Sequence, residues 1–148
     1  MGQFATFYVG EQMCGIEVEK VQEVVRSMPT TPVPQAHQVV SGLINLRGQI
    51  ATAIDTGQLF WSSEDSSESK SELKMNVICR SQGALVSLLV DRIGDVLDID
   101  DQNCESVPDT VDQEIRRFLS GVFKTRDNLV SIVDIDIILE HINHSIKG

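Results

Sequence analysis

One octet, written twice, constrains this chain more than any other feature. VEKVQEVV at residues 18–25 returns as VDRIGDVL at residues 90–97, alike in kind at seven of the eight places and offset by 72. Ser41-Gly42-Leu43-Ile44 returns as Ser120-Gly121-Val122-Phe123, and Ala53-Ile54-Asp55 as Ile132-Val133-Asp134, both offset by 79. The offset grows by seven, so the second copy carries seven extra residues between Leu97 and Ser120. Such a repeat predicts two similar small units. Each alone buries too little surface for a core of its own, so the two are expected to share one.

The apolar residues of each copy sit in short, β-branched blocks, which is strand patterning. Residues 4–9 read as a strand, turned by Gly10-Glu11-Gln12 into a second at 13–16. Residues 75–79 and 84–90 repeat that hairpin around Ser81-Gln82-Gly83. In 18–25, Val18, Val21 and Val25 lie at helical spacing and Val24 is also apolar, so a helical turn and a bulged strand both fit. Pro29, Pro32 and Pro34 make 27–38 a rigid, partly extended connector.

In GLINLRGQIATAID, residues 42–55, Leu43, Ile44 and Leu46 form one strand and Ile50, Ala51, Ala53 and Ile54 its partner. Between them Gly48 supplies the positive φ that a tight reversal needs. The turn lifts one cation, Arg47, out of a neutral stretch, as a recognition element would. A short turn is expected at 56–61. Residues 62–72, SSEDSSESKSE, hold no apolar side chain and are expected to be a mobile surface linker. One domain of residues 1–148 is therefore expected, its two β subdomains divided at about 62–73. Ile135, Ile138, Leu139, Ile142 and Ile146 then mark an amphipathic helix, with Asp134 and Asp136 at its start, where acids suit the helix dipole.

Composition narrows the function. Twelve Lys and Arg against 22 Asp and Glu leave a net charge of -10. That argues against nucleic acid or an anionic membrane as partner, since phosphate contacts need clustered cations. No apolar run approaches the roughly 20 residues of a membrane span, and the start of the chain has no secretory signal pattern. Cys14, Cys79 and Cys104 are unpaired in number and far apart, as reduced thiols of a cytoplasmic protein are.

Candidate chemistry is sparse. Asp98, Asp100 and Asp101 suggest a calcium loop, but its sixth position is Asn103 and its twelfth Asp109, where glycine and glutamate belong. His141 and His144 are spaced for a metal without a third ligand nearby. Cys104 has no histidine arranged locally as its base. No phosphate-binding glycine loop or nucleophile elbow is present. The residues call for no catalysis, metal or cofactor.

GIEVEKVQEVV, PTTPVPQA, VSGLINLRGQI with the spaced Asp55, and LLVDRIGDVL together resemble the CheW family of chemotaxis coupling proteins, also found as the regulatory domain of the kinase CheA. The resemblance runs in order from about residue 4 to 139. It implies a mostly β fold of two packed five-stranded SH3-like β-barrels with a helix near the C-terminus, in agreement with the repeat. It implies no catalysis, and two partners: the cytoplasmic tip of a methyl-accepting chemoreceptor and the histidine kinase CheA. By the same resemblance Arg47 and Glu23 belong to partner surfaces, and Val21 and Gly42 match further positions tied to coupling. Arg47 and Glu23 could instead pair with each other, Val21 could be core, and Gly42 could serve the strand. This chain departs from the family at Thr52, where a proline is usual, and at Thr56-Gly57, where Leu-Arg is usual. A different class of function also fits two packed barrels: a sensor binding a small molecule in the crevice between them.

Overall fold

The computed structural model describes residues 2–26, 28–34, 39–61, 74–100, 104–109, 116–125 and 129–147, with backbone alone at Trp61 and 143–147. The first copy forms β1 (Gly2–Val9), β2 (Gln12–Glu17), a 3-10 turn (Val18–Lys20), β3 (Val21–Arg26), β4 (Val40–Leu46), β5 (Gln49–Asp55) and α1 (Thr56–Trp61). The second forms β6 (Met75–Ser81), β7 (Ala84–Val90), β8 (Arg92–Ile99), β9 (Cys104–Glu105), β10 (Leu119–Lys124), β11 (Leu129–Val133) and α2 (Ile135–Lys147). The octet at 18–25 thus combines both readings open to it, a helical turn followed by a strand with a bulge at Gln22. Residues 56–61 form a six-residue helix rather than a turn, with Asp55 Oδ1 accepting from the Gln58 amide at 3.2 Å.

Two sheets result, ordered β8-β1-β2-β11-β10-β9 and β3-β6-β7-β5-β4. Shifting each strand by the repeat offset turns the second order into the first five strands of the other. Registers match as well. Leu43 opposes Thr52 as Val122 opposes Ser131, and the pairing slips between Val40 and Gly42 as it does between Leu119 and Gly121. The sixth strand also has a counterpart, because Glu105 pairs with Val122 as Thr31 bridges to Leu43. In the five-stranded sheet β3 and β4 are the two edges, and the stretch that follows β3 reaches the other edge, where Thr31 bridges to Leu43 of β4.

The copies interleave. The six-stranded sheet takes β1 and β2 from the first copy and its other strands from the second, while β6 and β7 join β3, β4 and β5. The subdomains therefore do not part at 62–73, as the order of the copies suggests. The chain crosses between sheets at the 3-10 turn and again at Asp91. Residues 62–73 themselves, expected to be a surface linker, lie outside the described residues.

Three apolar clusters follow from strand alternation. One face of the five-stranded sheet encloses Ile44, Leu46, Ala51, Ala53, Ile78 and Leu85. Its counterpart in the other sheet encloses Ile99, Val130 and Ile132, with Met13, Leu97 and Phe123 against them. The opposite faces meet in a larger shared core that includes Phe7, Cys14, Ile16, Ile54, Val77, Cys79, Val86 and Leu88. Leu59 and Phe60 of α1 and Ile138 and Leu139 of α2 enter it from equivalent places. Ile135 and Ile142 continue the helix stripe, both 2% exposed, and the Ile146 side chain lies outside the described residues. The shared core expected from two undersized units is what holds the molecule together.

Candidate functional site

Arg47 and Gly48 form a two-residue turn, both at positive φ (51° and 91°), the geometry whose twist suits a hairpin. Asn45 stabilises it, its Oδ1 accepting from the Gly48 amide at 2.9 Å. The guanidinium so presented does not stand alone. It donates to Glu23, on the far edge strand β3, so the ion pair links the turn after one edge strand of the five-stranded sheet to the other edge strand. The Arg47 hydrogen bond holds the Glu23 carboxyl below its ordinary value, against a smaller opposing effect of desolvation. The Arg47 side chain remains 68% exposed, so much of a head with five N–H donors still faces water.

The other two sequence-predicted residues are Gly42 and Val21. Gly42 is buried at φ +151°, and a Cβ there would come within 2.5 Å of the Thr31 carbonyl oxygen. That carbonyl accepts from the Leu43 amide, and Thr31 N donates back to the Leu43 carbonyl, both at 2.8 Å. Only glycine lets the two segments approach so closely. Val21 is half-buried and packs on the shared core. The structure thus brings Arg47 and Glu23 together, and places Gly42 against Thr31 and Val21 against the shared core.

Sequence reasoning missed their surroundings. Thr31 bridges to β4, and its signal was the proline-rich extended stretch beside it. Arg80 donates to Gln22 Oε1 at 2.7 Å, placing a second cation beside β3. Val24 is 40% and Ile50 57% exposed on the same barrel, and their repeat equivalents Val96 and Leu129 are exposed too. Neither the pairing partner of Arg80 nor the exposure of these apolar residues is legible from neighbours in sequence.

A second polar cluster lies where the sheets join. Asp136, in the first turn of α2, accepts from Lys20 Nζ at 3.2 Å and from the Ser81 hydroxyl. The Ser81 bond, then Lys20, hold its carboxyl below the ordinary value; the same contact raises Lys20. Beside it, Glu17, Lys20, Ser120, Asp134 and Asp136 line a cleft of about 100 Å³, with Ile16, Val133 and Ile135 its only apolar lining. Small-molecule sites are typically about 300–1,000 Å³ and mostly apolar, and this cleft is neither.

Among the described residues no group of three His, Cys, Asp or Glu could hold a metal. His141 stacks edge-on against Phe118 at 5.2 Å, a packing role, and the His144 side chain lies outside the described residues. Burial pushes the Cys14 and Cys79 thiols up to about 12, far from thiolate chemistry at neutral pH. Cys104 is half-exposed on β9. Of the calcium-loop candidates, Asp101 and Asn103 also lie outside the described residues. No helix among the described residues is long and apolar enough to cross a membrane.

Comparison with known proteins agrees with this architecture. The family model described as CheW-like domain matches residues 3–143. The chain is 30% identical over 137 residues to chemotaxis protein CheW of Thermotoga maritima, covering 93% of this chain and 87% of that one. It is 28% identical to chemotaxis protein CheW of Treponema pallidum, over 90% of this chain and 79% of the relative. A crystal structure of the scaffolding protein TtCheW from Thermoanaerobacter tengcongensis superposes with a TM-score of 0.80 at 28% identity, covering 93% and 86% of the two chains. With its repeat, its two sheets and its helix accounted for, the chain belongs to the CheW-like domain family.

Proposed function

We propose that this protein is a non-catalytic adaptor of chemotaxis-type signal transduction, coupling the cytoplasmic tips of chemoreceptors to the histidine kinase CheA. The observation that carries the reading is the family match over residues 3–143, with relatives named as chemotaxis proteins. The Arg47–Glu23 ion pair supports it, because an exposed guanidinium on a rigid turn can pair with a partner's carboxylate or carbonyls. In this reading Arg47 and Glu23 touch partners, while Val21 and Gly42 hold the surface that presents them. The acidic chain works in the cytoplasm, binding neither nucleic acid nor membrane. The described cleft at the sheet junction is too small and too polar to carry the other reading, a small-molecule sensor.

The test is reconstitution. Membranes carrying a chemoreceptor, the kinase and this protein should phosphorylate several-fold faster than membranes without it, and an attractant should switch the gain off. Kinase activity indifferent to the protein across receptors and kinases from the same genome would reject the proposal.

A further inference from the structure

The interleaving has a consequence for how copies of the chain meet. Within residues 2–61 the described strand pairings are β1 with β2, β4 with β5, and the Thr31–Leu43 bridge; none joins the first hairpin to the second. β3 pairs only with β6 of the second copy. Every sheet is completed by a ladder between copies: β1 with β8, β2 with β11, β3 with β6, β5 with β7. The shared core is built the same way, Phe7, Ile16 and Ile54 from one copy meeting Val77, Leu88 and Ile138 from the other. Neither copy forms either complete sheet alone, and none of these contacts depends on both copies belonging to one chain.

We infer that a second molecule of this chain is a binding partner, through exchange of repeats: residues 2–61 of one molecule complete the two sheets with residues 74–147 of another, and the reverse. The exchanged dimer has the same strand pairs, bulges and cores as the monomer, so the two forms differ only in the covalent link and in mass action. The link between the copies sets an effective concentration of one for the other, and exchange competes when the chain concentration approaches it. Below it the monomer dominates; during folding, when both copies are open, exchange is fastest.

Cysteines on register partners read this directly. Gln3 on β1 opposes Asp98 on β8; both are exposed, and they belong to different copies. Cross-strand Cβ atoms lie about 4.5–5.5 Å apart, close to disulfide reach. In a Cys104→Ser background, one full-length chain carries Gln3→Cys and another Asp98→Cys. Unfolded together, refolded and oxidised, they should give a disulfide-linked heterodimer at least ten-fold above the homodimers each forms alone. Its share should rise in proportion to chain concentration at low conversion, and fall sharply when the chains are folded before mixing. A third chain carrying both cysteines should close a disulfide within itself, which checks the register. Closure in that chain with hetero- and homodimer yields equal in the mixture, up to a millimolar, would overturn the inference. So would failure of the double-cysteine chain to close, since the pairing on which exchange depends would then be wrong.

Discussion

Arg47 is held by its turn and by Glu23, yet most of its side chain is in water. An exposed ion pair adds little to stability, so Arg47→Glu should melt like the parent protein while coupling in receptor membranes collapses. Exchanging both residues, Glu23→Arg with Arg47→Glu, restores coupling if the pair matters only as a pair, and leaves it lost if both face partners; the second result is expected. Gly42 answers a different question. A side chain there meets the Thr31 backbone in a conformation L residues rarely adopt. Gly42→Val should therefore cost about 2–4 kcal/mol in urea melts, as backbone strain and a broken bridge together do. Gly48, also at positive φ but with nothing within 4 Å of a Cβ, should tolerate alanine at about 1 kcal/mol. Asp136 should govern the acid limb. Its folded carboxyl titrates below the ordinary 3.8, so its stabilisation is full above that value and is lost as pH falls through the lowered one. Lys20 is raised above the ordinary 10.5, so its share is present below that value and disappears as pH rises through the raised one. In a series of thermal melts, Asp136→Asn should flatten the acid limb, leaving its shape at neutral pH unchanged.

At the scale of elements, α2 carries the sharpest contrast. Asp134 caps it, Oδ1 accepting from the Asp136 and Ile137 amides at 3.0 and 3.3 Å. Ile138 is fully buried, whereas Ile137 next to it is 37% exposed. Ile138→Ala should cost about 2–5 kcal/mol and Ile137→Ala under about 1, measured by chemical denaturation. Ending the chain before Asp134 removes Ile135, Ile138, Leu139 and Ile142 together. Such a truncation should be insoluble or lack a cooperative melt, because the loss exceeds the ~5–15 kcal/mol that stabilises a typical domain. The hairpin of β4 and β5 shows how an element acquires a function it does not encode alone. Its own residues specify the turn and the projection of Arg47; the distant strand β3 supplies the acid.

For the whole molecule, interleaving predicts one transition rather than two. Each sheet holds strands from both copies, so neither can melt and leave the other intact. Ile44→Ala inside one barrel and Val130→Ala inside the other should each lower the same single denaturation midpoint, with circular dichroism and hydrogen exchange reporting together. A biphasic curve in either variant would show that the barrels unfold separately.

Much was legible in the chain itself, for reasons that are local. The repeat of 18–25 at 90–97, the Gly48 turn, the isoleucine spacing of α2 and the family motifs all arise from neighbours in sequence, whose periodicity and backbone preferences need no distant partner. The offset of 72 and 79 even carried the register of both sheets. Only the tertiary structure decided which strands complete which sheet. Strand ladders pair backbone groups that are alike along every strand, so two copies with equal registers fit within themselves or across each other, and apolar pattern cannot choose. In the crossed arrangement the two sheets bury their facing sides in one shared core. The same holds for Glu23 under Arg47, Thr31 against Gly42, and Asp136 between Lys20 and Ser81. Each joins residues that the sequence keeps apart, and each became visible only in the fold.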